Sequence, residues 1–170
     1  MSKKDENIDF LPKDYTAPSG DFMKFVNGEN TFRVMSSAVV GFEYWTKEDK
    51  PVRSKIKWTS TPDDIKLDKN GKPTGIKHFW SFVVWNYNDK AIQSLEITQK
   101  GVMQGIQALV QNPKWGDPKK YDITVTRSGE GLKTDYSVMP NPHAEISPEI
   151  IDEFMSKNID LEAIFDNKSE

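Results

Sequence analysis

The stretch "KHFWSFVVWNYNDK", residues 77–90, constrains this chain more than any other. It sets two tryptophans, two phenylalanines and a tyrosine in one run behind a basic start. Side chains alternate with period 2 in a strand. One face would then carry Phe79, Ser81, Val83, Trp85 and Tyr87, and the other His78, Trp80, Phe82, Val84 and Asn86. Both faces are largely apolar. A sheet needs only one of them to fill its core, so the second must be covered or must bind something. A strand over about 77–87 is expected, with a surplus aromatic face.

The flanking segments supply further strands. "GENTFRVMSSAVVGFEYW", 28–45, is rich in β-branched and aromatic residues and reads as one long, bent strand. In "VRSKIKW", 52–58, alternation puts Arg53, Lys55 and Lys57 on one face and Ser54, Ile56 and Trp58 on the other. A polar excursion over 59–75 follows, with a turn at Asn70-Gly71. After the aromatic strand, "NYNDK" turns the chain and "AIQSLEIT" returns as its partner. Val102, Ile106, Leu109 and Val110 recur at helical spacing, with Thr98 as N-cap and Pro113 as stop, although two internal glycines weaken that helix. "YDITVTR" and "KTDYSVMP" complete the set as two strands joined by "SGEGL".

This order predicts a mainly β fold: a five-stranded OB-fold, a Greek-key barrel with one helix between its third and fourth strands. The domain would span 21–140, behind a flexible N-terminal arm over 1–20 and ahead of an acidic C-terminal tail over 141–170. The tail shows in the charge. Residues 1–140 hold 21 Lys/Arg against 18 Asp/Glu, a net of +3, whereas residues 141–170 hold 2 against 8, a net of −6. The overall charge of −3 therefore hides a mildly basic body.

Catalytic and metal chemistry find little support. There is no cysteine, and the two histidines, His78 and His143, stand far apart with no ligand spacing. Asp63-Asp64 reads as a solvated turn, "SGEGLK" as a hairpin turn without the P-loop Lys-Ser/Thr, and no GxSxG elbow occurs. No enzyme, no metal and no cofactor is expected. The N-terminus "MSKKDENIDF" lacks an apolar signal core, and apolar runs such as "FVVW" fall far short of the roughly 20 residues that span a bilayer. A cytoplasmic protein without membrane contact is expected.

Single-strand binders of this architecture lay the nucleic acid across their second and third strands, where cations neutralise phosphates and aromatics stack bases. The basic strand 52–58 beside the aromatic strand 77–87 supplies both. The series "GENTFRVMSS … FWSFVVWNYNDKAIQSLEITQKGVMQGIQALV … YDITVTRSGEGLKTDYSVMP" resembles phage single-stranded DNA-binding proteins of the T-even helix-destabilising type and their smaller zinc-free relatives, over about residues 20–140. T-even members carry a Cys/His zinc site; here the excursion 59–75 stands in its place.

The resemblance implies sequence-nonspecific binding of single-stranded DNA, protecting it in phage replication, recombination or repair in the host cytoplasm. It favours Trp80 as a stacking residue; strand parity, which puts Trp85 and Tyr87 on the opposite face, does not settle the matter and leaves Trp85 a core candidate and Tyr87 a rim candidate. Arg53, Lys55, Lys57 and Lys77 would meet phosphates, Tyr44 and Trp45 would enter from the first loop, and Arg127 and Lys133 would flank the last. The tail mixes acids with Ile150, Ile151, Phe154, Ile159, Leu161, Ile164 and Phe165, a composition suited to docking on a partner. In the resembling family such tails recruit replication proteins (polymerase, helicase or primase) and compete with DNA, so Phe154 and Phe165 are the expected anchors. An RNA-binding OB module is an alternative, as is a protein-interaction module that docks through the aromatic face.

Overall fold

The computed structural model describes Phe10 and residues 21–166; the expected N-terminal arm otherwise lies outside the described residues. The aromatic run forms β5 (Lys77–Asn86), the longest strand, and the sheet is organised around it. One edge of β5 pairs from Trp80 to Asn86 with β6 (Ala91–Ile97) in a hairpin. The other edge is shared. β2 (Gly28–Val34) pairs with its C-terminal end and β3 (Val39–Trp45) with its N-terminal half. Between them Met35 N–H donates to the Val83 carbonyl at 2.8 Å, and Val83 N–H donates to Ser36 Oγ at 2.9 Å. The pairing thus continues through the break, and 28–45 behaves as the bent strand the sequence predicts.

β7 (Tyr121–Ser128) pairs with β2 and with β8 (Asp135–His143), which runs past the expected boundary at residue 140. Two short strands complete the eight: β1 (Phe22–Met23), parallel to β6, and β4 (Pro51–Ser54), antiparallel to β3. The path β1-β6-β5-β2-β7-β8 leaves β1 and β8 as unpaired ends. The mainly β architecture agrees with expectation. A closed five-stranded barrel is not what the pairing gives: β1 occupies the outer edge of β6, and no β6–β8 pair joins the ends among the described residues.

The helix α1 (Lys100–Gln111) packs against β8. It begins after Gln99 without a side-chain cap rather than at the expected Thr98, and it ends at Asn112, just before Pro113. Val102, Met103 and Ile106 are buried, while Val110 is exposed. Gly105 has a packing reason: a Cβ there would lie 2.8 Å from Val138 Cγ2. The glycine that weakens the helix locally is what lets it approach β8.

The core lies between α1 and the inner sheet face, built from Phe32 and Val34, Phe82 and Val84, Leu95 and Ile97, and Ile123 and Val125. On β5 the even-numbered residues therefore face inward. The C-terminal residues also fold. Ser147 caps α2 (Pro148–Lys157) by accepting from Glu149 N–H, Pro148 opens the first turn, and Asn158 closes the helix in the left-handed conformation (φ 49°). A 3-10 helix over Leu161–Asp166 follows. α2 touches β6 and the 3-10 helix touches β4, so the expected acidic tail lies on the sheet.

Candidate nucleic-acid interface

With the even residues of β5 in the core, its odd residues build the outer face. Phe79 lies opposite Gly41, Ser81 opposite Val39 and Glu96, and Trp85 opposite Arg33 and Ile92. This register reverses the expected roles of two tryptophans. Trp80 packs against the core, its remaining exposure opening on a cavity of about 250 Å³ beside Ile106 and Val110. Trp85 is half-buried on the outer face, edge-on to Tyr87 at 6.4 Å and 89°. Tyr87 donates its hydroxyl to Asp122 Oδ1 at 3.0 Å, and Arg33 Nε donates to the same oxygen at 2.7 Å. Burial, reinforced by the Asp122 carboxylate, pushes the Tyr87 phenol up.

The other end of the outer face is covered by the chain itself. The Phe165 ring lies 5.9 Å from that of Phe79 at an interplanar angle of 32°, leaving Phe79 fully buried. Gly41 admits it, since a Cβ there would sit 2.8 Å from the Phe165 ring. Lys55 forms an ion pair with Glu162 and holds its Nζ 5.5 Å from the Phe165 ring centroid. A cavity of about 430 Å³ remains between this segment and the sheet, reaching Arg53, Ser81 and Glu96 on one side and Lys157, Asp160 and Ile164 on the other. Phe154, the second expected anchor, is half-buried on α2, whereas Ile151 and Met155 are exposed.

Arg53 sits beneath that segment, between two carboxylates. Its Nε donates to Glu43 Oε1 at 3.0 Å and its Nη2 to Glu96 Oε1 at 2.9 Å, with the guanidinium 5.8 Å from the Phe79 ring centroid. Glu43 is nearly buried, and its carboxyl is pushed up to about 7, by burial first and by the Glu96 carboxylate second, against the pull of Arg53. The shared basic face of 52–58 does not form. β4 ends at Ser54, whose Oγ accepts from Ile56 N–H and turns the chain away, leaving Lys55 and Lys57 exposed beyond the strand.

The remaining expected contacts divide. Lys77 is exposed at the start of β5 and, with Lys66, lines a cavity of about 360 Å³ against Trp45, which is 41% exposed. Tyr44 is buried instead. Its hydroxyl donates to Asp64 Oδ1 at 2.8 Å and its ring meets Trp58 edge-on at 4.9 Å, tying the polar excursion to β3. Burial, then the Asp64 bond, pushes that phenol up to about 12. Gly71, at φ 77°, forms the expected turn, its N–H bonded to the Asp68 carbonyl. Arg127 is half-buried at the inner end of β7 and donates from Nη1 to the Phe25 carbonyl at 3.1 Å, away from the outer face. Lys133 is exposed in the 3-10 turn before β8.

The positive charge of the body concentrates here. Residues 46–77 hold nine Lys/Arg against five Asp/Glu, a net of +4. Phe79, Glu43 and Glu96 were not among the expected site residues; the alternation of β5 had placed Phe79 on a face with Trp85, but only the pairing tells which face is outer. No group of His, Cys, Asp and Glu among the described residues could hold a metal ion, and none of their helices is long and apolar enough to cross a membrane.

Comparison with known proteins gives one informative similarity. A "Probable ssDNA-binding protein" of Escherichia phage T5 is 24% identical over 140 residues, covering 69% of this chain and 54% of the relative. The chain thus spans about half the length of that relative. This agrees with the expected resemblance to phage single-stranded DNA-binding proteins in its broad form, and does not extend to the T-even type. No protein-family model matches the chain, and no solved structure matches it.

Proposed function

We propose that this chain binds single-stranded DNA without strong sequence preference, on the outer face of β3, β5 and β6 and the basic excursion beside it. The observation that carries the reading is what already lies on that face. Phe165 places a flat ring over Phe79 while Glu162 places an anion on Lys55. A nucleotide presents the same two chemistries, a base to stack and a phosphate to neutralise. Lys57, Lys77 and Trp45 extend the cationic and aromatic surface, and Trp85 and Tyr87 continue it along β5. The similarity to the phage T5 protein supports the same ligand.

In this reading the sheet is an opened version of the OB arrangement, with β2 and β3 together serving as its first strand. The acidic C-terminal segment competes with DNA for the face. When displaced, it offers Phe154 and Phe165 to replication proteins such as a polymerase, helicase or primase. The chain protects single strands in phage replication, recombination or repair in the host cytoplasm, by binding rather than catalysis.

Titration of tryptophan fluorescence with oligo-dT, oligo-rU and duplex DNA at two salt concentrations tests the proposal. Preference for oligo-dT, weakening with salt, is expected, because phosphate contacts release counterions. Preference for oligo-rU would make the chain an RNA binder. Salt-independent binding, or none, would refute the reading and leave the face as a protein-docking surface.

A further inference from the structure

The loop "KWGDPKKY", residues 114–121, joins α1 to β7, and its Asp117, Pro118 and Lys119 also line the cavity beside Trp80. Its backbone is held firmly. Asp117 accepts from Lys119 N–H at 3.0 Å and so caps the 3-10 turn Pro118–Lys120. Arg33 reaches over from β2 and donates from Nη1 to the Lys119 carbonyl at 3.2 Å and from Nη2 to the Ala144 carbonyl at 3.0 Å. Asp122 balances the Arg33 charge, so what this framework displays is the pair Lys119 and Lys120, both exposed on the rim of a cavity of about 520 Å³.

An aromatic stack stands beside them. His143 lies nearly parallel to Trp115, with ring centroids 5.8 Å apart at 21°, and its Nε2 is 2.9 Å from the Trp115 carbonyl. Tyr121 meets His143 edge-on at 5.2 Å, and Lys114 sets its Nζ 5.6 Å from the Trp115 ring centroid. His143 is exposed and lines the same cavity as the two lysines. Arg33 and Ala144 line it too, and Glu145, Ile146 and Ile151 of the C-terminal segment complete the wall. Cations of the body and an acid and apolar residues of the segment thus share one cavity.

We propose that this patch is a second contact for the same single strand. Lys119 and Lys120 neutralise phosphates, and the imidazole of His143, backed by Trp115, offers a face to a base. The proposal rests on the single-strand reading above. The cavity meets the outer face at Arg33, which neighbours Trp85 on β5 and Asp122 on β7, while Trp115 and Tyr121 hold the stack on the core side at the sheet's end. A strand laid from Lys77 to Trp85 covers roughly 26 Å at 3.3 Å per residue of β5, and Arg33, which bonds the Lys119 carbonyl, stands beside Trp85 on β2.

The test is the double substitution Lys119→Ala, Lys120→Ala in the full chain, with Lys90→Ala, Lys100→Ala as a charge-matched control in exposed positions elsewhere. Binding of fluorescently labelled oligo-dT is followed by anisotropy over a range of salt. The slope of log K against log salt should flatten by about 1.4, at roughly 0.7 per phosphate contact, in the first variant and not in the control. The deficit of the first variant would then grow about 25-fold for each tenfold drop in salt. An unchanged slope, or equal flattening in the control, overturns the second contact while leaving single-strand binding intact. If the unaltered chain shows no salt-dependent binding of oligo-dT, the functional reading itself fails, and this proposal with it.

Discussion

Replacing Phe165 with alanine should tighten binding of single-stranded DNA. The half-buried ring is held by Phe79, by the open space above Gly41 and by the Lys55 ammonium. Full burial of a phenylalanine stabilises by about 1.5–3 kcal/mol, so a half-buried one contributes roughly 1 kcal/mol. The aromatic pair adds about 0.5–1 kcal/mol and the exposed cation–π contact about 0.5 kcal/mol. The ion pair of Lys55 with Glu162 is exposed on both sides, adds little, and survives the substitution. About 2 kcal/mol of docking free energy is lost, a factor of roughly 30 in the equilibrium between covered and uncovered faces. Apparent affinity scales with the uncovered fraction, so labelled oligo-dT should bind up to about 30-fold more tightly at low salt. Anisotropy titrations of the variant and the unaltered chain measure this, with circular dichroism as a check on the fold. Equal or weaker binding by a folded variant would refute the idea that the segment and the strand share this face.

Three further outcomes follow from the same geometry. Trp80→Ala should lower thermal stability by about 2–4 kcal/mol with little effect on DNA affinity, while Trp85→Ala should weaken binding by about 1–3 kcal/mol at nearly constant melting temperature; the opposite pattern would invert the face assignment. Gly105→Ala should destabilise by about 1–3 kcal/mol despite alanine's helix preference, because the new methyl meets Val138, and a stabilised variant in chemical denaturation would contradict that packing. The Glu43 carboxyl is raised in the folded state from 4.5 to about 7, so between those values the folded chain binds more protons than the unfolded one. Its stabilising contribution is complete below pH 4.5 and is lost as pH rises through 7. Melting temperatures from pH 5 to 8 should therefore fall more steeply for the unaltered chain than for Glu43→Gln, and parallel profiles would disprove the shift.

The parts of the fold legible in sequence are those set by local pattern. The bend of 28–45, the β5–β6 hairpin and the β7–β8 pair follow from alternation broken by turn residues, and all three form. The face of β5 was not legible, because aromatics occupy both parities. It is decided by packing against residues far away in sequence, Phe32 and Val34 on β2 and Ile123 and Val125 on β7. The alternation of 52–58 misled for a different reason. A period-2 pattern says where side chains would point in a strand, not that the strand continues, and Ser54 ends it. Ser147, Pro148 and Glu149 are a recognisable helix start, whereas the acid content of residues 141–170 marks only an acidic tail and not the helix within it. The ring of Glu43, Arg53 and Glu96 joins three separate strands and leaves no mark in sequence.

That ring changes how the charge of the outer face must be counted. Arg53 lies between two carboxylates, and one of them, Glu43, is neutral in part near pH 7. Its guanidinium can meet a phosphate only by giving up a charge-assisted bond, so little of its charge counts toward counterion release. Lys55 is engaged by Glu162, from the segment a bound strand would displace, and returns to the count once that segment leaves. Lys57 and Lys77 are exposed and enter no ion pair among the described residues. Charge on this face thus comes in two kinds: an arginine fixed within the sheet, bonded to Glu43 and Glu96 and set against Phe79, and lysines at its margin, of which Lys55 can exchange an internal anion for an external one. The C-terminal segment need only be a slightly poorer ligand than DNA for the exchange to run. Its one ring on Phe79 and one carboxylate on Lys55 fit that requirement, because a single strand brings several bases and phosphates to the same groups and continues past Trp85, where this ring and carboxylate do not reach.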